Sequence, residues 1–81
     1  MDIKTASAIL LAQVGQLNNM VTAMNTTAAG IDTIANQENP DADIALRIKA
    51  LVATIDVQIT ATTSETVLVQ NAADNLASIL A

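Results

Sequence analysis

The side chains able to do chemistry in this 81-residue chain are few: eight Asp and Glu, three Lys and Arg, scattered Ser and Thr, no His and no Cys. A Cys/His zinc site, thiol or disulfide chemistry and a His-based triad are therefore excluded. Paired carboxylates could still serve acid/base or metal chemistry. The one cluster, Glu38, Asp41 and Asp43, lacks the Gly and the spacing of a calcium loop and reads as the solvated start of a helix. Asp56 and Asp74 are eighteen residues apart, roughly 27 Å along a helix, too far for joint work on one bond. Ser64 and the threonines have no His or nearby Lys to take a proton. Gly15 and Gly30 fit no phosphate loop, and Met1, Met20 and Met24 read as packing or start residues. The expectation is no catalytic residue, no metal, no cofactor and no enzymatic activity.

Binding of nucleic acid is excluded on composition. There is no Phe, Tyr or Trp on which a base could stack, and the net charge of −5 repels phosphates. Arg47 and Lys49 are two residues apart, hence on different sides of a helix, and Lys4 is remote. Charged residues make up 14% of the chain, against about 25% in ordinary soluble domains. Much of the surface must then be Ala, Thr, Val, Ile, Asn and Gln, which suits contact with other subunits. Ala6 to Val14 has the length of a signal-peptide apolar region, but Asp2 cancels the charge of Lys4 before it, so no cleaved signal is expected. No apolar run approaches the roughly 18 to 20 residues of a bilayer-spanning helix.

These residues sit on a simple frame. Pro40, the sole proline, lies in the most polar stretch and divides the chain almost in half. Asn39 can cap a helix that Pro40 begins and whose positive end Asp41 and Asp43 meet. Before this corner, Ile3, Ser7, Leu10, Val14, Leu17, Val21, Met24, Ala28, Ile31 and Ala35 recur in three- and four-residue steps, a helical stripe that faces one partner helix. The poor helix formers Gly15, Asn18, Asn19, Thr26, Thr27 and Gly30 suggest a bend or opening near Gly30. After the corner the stripe runs Ile44, Ile48, Leu51, Ile55, Ile59, Thr62, Thr66, Val69, Ala73, Leu76, Leu80, with a stutter around Ile55. Leu46, Ala50, Ala53 and Val57 form a second apolar line on roughly the opposite face, so this helix needs neighbours on both sides. The alternation of Ile55, Val57 and Ile59 with polar residues in a β-branched stretch to Val69 also permits a strand. Helix is favoured, because no Gly or Pro interrupts residues 41 to 81. The fold expected is all-α: a two-helix antiparallel hairpin, with a helix over about residues 3–36, a Pro-containing turn over 37–40 and a helix over 41–80. It is one domain, too thin to bury a core alone and stabilised by oligomerisation.

The Asn39-Pro40-Asp41 corner, followed by a C-terminal helix of about forty residues, resembles the needle and pilus subunits of bacterial type III secretion systems. So does the run from Ala61 to Val69 followed by Asp74, where Ser64, Thr66, Val67, Val69, Asp74 and Ile79 match that family's tail. Gln58, Ala73 and Ala81 depart from it, standing where the family usually has aromatic or basic residues. The spacing from the turn to Ser64 is about three residues longer than the family's. The resemblance implies an exported subunit that polymerises into a tube, with its C-terminal helix toward the channel.

Two functional expectations follow. The first is a structural subunit of a secretion filament at the cell surface, exported without a cleaved signal. Its partners would be copies of itself, with export-apparatus or chaperone proteins. The second is a helical-hairpin component of a virion or of another closed coiled-coil assembly. In either, Leu46, Ile48, Leu51, Ile55, Val57, Ile59, Val69, Leu76 and Leu80 are the candidate packing residues, and Ser64, Asn71, Asn75 and Ser78 are candidates to face a channel. An adaptor whose helix lies in a partner's groove is a third class, poorly served by a chain with no aromatic anchor.

Overall fold

A computed structural model describes residues 1–37 and 42–81. Two helices, α1 (Ile3–Ala35) and α2 (Ala42–Leu80), make up the described fold and pack against each other. The expected turn of Asn39, Pro40 and Asp41, with Glu38, lies outside the described residues. Asp2 caps α1: its carboxylate accepts the Thr5 N–H at 2.7 Å, and that bond holds the Asp2 carboxyl below its ordinary value. At the other end, Asn36 donates both its backbone N–H and its Nδ2 to the Asp32 carbonyl, at 3.1 and 2.9 Å.

The helices run in opposite directions. Asn75 donates to Met1 Sδ at 3.3 Å, and the Thr62 hydroxyl lies 3.8 Å from Met24 Sδ. Nearer the corner, Gly30 lies against Leu51. Residue numbers thus fall along one helix as they rise along the other. The protein is a rod of 60 × 15 × 14 Å.

α2 is helical through the whole Ile55–Val69 stretch, so the strand alternative does not occur. No Gly or Pro interrupts it, and the helical seam continues on both sides. The hydroxyls of Thr54, Thr60, Thr62, Thr63 and Thr66 each donate to the carbonyl four residues back, at 2.7 to 3.2 Å. Their hydroxyls are thus satisfied inside the helix and do not compete for another backbone conformation. Thr22, Thr26, Thr27 and Thr33 do the same in α1.

The expected opening of α1 near Gly30 is also absent, since the helix is continuous to Ala35. Neither glycine has a positive φ, so neither is needed for an unusual backbone. Gly15 is open, with no atom within 4 Å of where a methyl would stand, and a methyl at Gly30 would make ordinary contact with Leu51 Cδ1 at 4.0 Å. Gly15→Ala and Gly30→Ala should each therefore stabilise the helical state by about 0.5 to 1 kcal/mol, through lower chain entropy in the unfolded state. Circular dichroism melts should show a higher Tm for both, and a lower Tm for Gly15→Ala would mean that its exposed side is occupied in an assembly.

Candidate functional site

The seam between the helices keeps a strict alternation of three- and four-residue steps. On α1 it is Ala6, Leu10, Gln13, Leu17, Met20, Met24, Thr27, Ile31 and Ile34; on α2 it is Ile44, Ile48, Leu51, Ile55, Gln58, Thr62, Glu65, Val69, Ala72, Leu76 and Ile79. This corrects the stripes expected from apolar residues alone. Val14 and Val21 are 36% and 40% exposed and flank the seam, while Gln13, Met20 and Thr27 enter it. Ile59 and Leu80 are likewise outside, at 50% and 62% exposure, and Gln58 and Ile79 stand in their place, so the stutter around Ile55 is not present. The reason is geometric. Two helices in contact along their whole length keep one face together only if the seam advances by about 3.5 residues per turn. A shift to Ile59 would require local unwinding.

The seam is thinly buried and partly polar. Only Ala6, Ile44 and Ala72 are buried apolar residues among those described, and none of the larger side chains is fully enclosed. Glu65 is 6% exposed, and its Oε1 has no hydrogen-bond partner; neither does the buried Oε1 of Gln58, seven residues earlier on the same line. Thr62, between them on the same line, reaches Met24 Sδ of α1. No pattern of apolar residues could have placed a carboxylate here. The signal in the sequence is the seven-residue repeat itself, extended from Ile44 and Leu51.

Of the candidate packing residues, Ile48, Leu51, Ile55, Val69 and Leu76 lie in the seam, whereas Leu46, Val57, Ile59 and Leu80 are exposed. Leu46 at 65% and Val57 at 70% are on the outer side of α2, with Ala50 and Ala53 exposed between them. The four candidate channel residues are all exposed. Ser64, Asn71 and Ser78 share one line at seven-residue intervals, and Asn75 stands on the adjacent flank, where it bonds Met1 Sδ.

Among the described residues, no three acidic side chains gather into a metal-binding group and no cavity opens. No described helix is long and apolar enough to cross a membrane. The described residues present the exposed faces of the two helices as their most extensive features. No family model, curated protein or solved structure matches this chain.

The buried Glu65 yields a direct test. Replacing an unpaired buried carboxyl by a side chain of similar volume removes a desolvation cost, so Glu65→Leu should stabilise the hairpin by about 1 to 3 kcal/mol. Thermal or urea unfolding at fixed protein concentration should show the gain. A loss of stability would mean that the carboxyl finds a partner in an assembled state.

Proposed function

We propose that this chain is a non-enzymatic structural subunit that functions by self-assembly, its hairpin completed by further copies of itself. One observation carries the reading: the isolated chain leaves its large apolar side chains outside. Leu11, Val57, Leu46 and Leu80 are 74%, 70%, 65% and 62% exposed. The accessible surface is 5611 Å², against about 4600 Å² for a compact monomer of 8.4 kDa. The radius of gyration is 18.3 Å, against about 12 Å for a compact chain of this length. The excess surface is of the size that subunit contacts cover.

The first form of this reading is a tubular filament of the type III needle or pilus kind, through which proteins are exported. The resemblance of residues 39–81 favours it, as does the division along the outer side of α2. There Ala50 and Val57 give way to Ser64, Asn71 and Ser78. Apolar contacts near the corner would join copies, and neutral hydroxyl and amide groups further on would line a channel that holds no passing chain tightly. In this form the subunit acts outside the cell, exported with the help of apparatus or chaperone proteins. The second form, a closed coiled-coil bundle in a virion or another assembly, is favoured by the unbroken heptad seam.

Electron microscopy of concentrated protein separates the outcomes. Long tubes support the filament and discrete particles the closed bundle, while a concentration-independent, cooperatively folded monomer rejects both. Val57→Asp should abolish filaments and leave the helix content of the hairpin nearly unchanged.

The channel assignment has its own test. Single cysteines at Ser64 and Asn71 should react slowly with a bulky thiol reagent on intact filaments. Rapid labelling at both would place this line on the outside.

A further inference from the structure

The chain has no Cys, His, Trp or Tyr, so its three methionines are the only side chains that a dilute peroxide oxidises. Two of them, Met20 and Met24, stand one turn apart in the seam, half-buried. The third, Met1, is 70% exposed. Among the described residues, two polar side-chain contacts cross the hairpin, and each ends on a methionine sulfur. Asn75 Nδ2 lies 3.3 Å from Met1 Sδ, and Thr62 Oγ1 lies 3.8 Å from Met24 Sδ.

The two sulfurs differ in what an added oxygen would meet. At Met1 it would meet an amide donor and water. At Met24 the facing hydroxyl is already committed, because Thr62 has one proton and the Gln58 carbonyl accepts it at 2.7 Å. About a turn to either side of Thr62 on the same line, Gln58 Oε1 and Glu65 Oε1 are buried acceptors without a partner. Of these three side chains only the Gln58 amide carries an N–H, and its oxygen is the end that lies buried. No cavity opens among the described residues to take an added atom. A polar oxygen placed here either stays buried without a donor or holds the helices apart.

We propose that the Met20–Met24 pair is a modification site, at which oxidation by a hydroperoxide loosens the hairpin. The thioether sulfur attacks one peroxide oxygen and the O–O bond breaks. The departing hydroxide takes up the proton of the transferred hydroxyl and leaves as water. Sulfur is oxidised by two electrons to the sulfoxide, and the peroxide is reduced. A flexible apolar side chain in the seam thereby becomes a polar one. The inference concerns the hairpin itself and stands apart from the self-assembly reading.

The test compares the wild-type chain with the double variant Met20→Leu, Met24→Leu, whose side chains keep the volume and apolar character of the seam. Each is treated with hydrogen peroxide at one protein concentration, the oxidised residues are mapped by mass spectrometry, and the melt is followed by circular dichroism. Oxidation should lower the wild-type Tm by about 5 to 10 °C. The double variant, with Met1 converted to the same extent, should shift by less than about 2 °C. Methionine sulfoxide reductases of both stereospecificities, supplied with dithiothreitol, should then restore the wild-type mass and Tm together, the dithiol becoming a disulfide and the oxygen leaving as water. Equal falls in the two proteins would reject the site. So would full conversion of Met1 with Met20 and Met24 left as thioethers, or a return of mass without a return of Tm.

Discussion

A pair of helices can cover only one stripe on each other. That limit governs this protein, because among the described residues α1 and α2 have no third element to pack against and each spends its single stripe on the seam. A rod of 60 × 15 × 14 Å has no interior in which a large side chain can be enclosed. The hydrophobic contribution to stability is correspondingly small, and a chain of this size usually needs another source of it. In the proposed assembly, that source would be the apolar residues left on the outer surfaces.

The seam itself gives up stability for regularity. Gln13, Thr27, Gln58, Thr62 and Glu65 occupy positions where Leu or Ile would bury more area. Buried amide and carboxyl oxygens without partners at Gln58 and Glu65 add a desolvation cost. Threonines that bond back to their own helix contribute little to holding the helices together. The hairpin is helical by local satisfaction and only loosely joined. In the proposed assembly such a seam would ease unfolding or rearrangement, and burial among neighbours would supply the missing stability.

The outer surfaces are ordered. Apolar residues collect along one flank of the seam and near the corner on the outer side of α2, while Ser64, Asn71 and Ser78 occupy the far half of that outer side. Opposite charges mark the ends of the α1 edge at Lys4 and Asp32.

The sequence alone determined the two-helix plan. Three- and four-residue steps, an undisturbed C-terminal half and a central polar stretch are local properties, and helices follow local rules. It also ruled out chemistry that needs His or Cys, since absent residue types cannot be supplied by folding. The outward apolar line of Leu46, Ala50, Ala53 and Val57 was legible for the same reason. Which residues meet at the seam was decided by tertiary structure. Apolar identity favours Val14, Val21 and Ile59, but continuity of contact along the full length selects Gln13, Met20 and Gln58, one position away. That choice belongs to the pair of helices and to neither alone, because only a partner in contact along the whole length makes an unbroken seven-residue repeat worth more than a few additional apolar atoms.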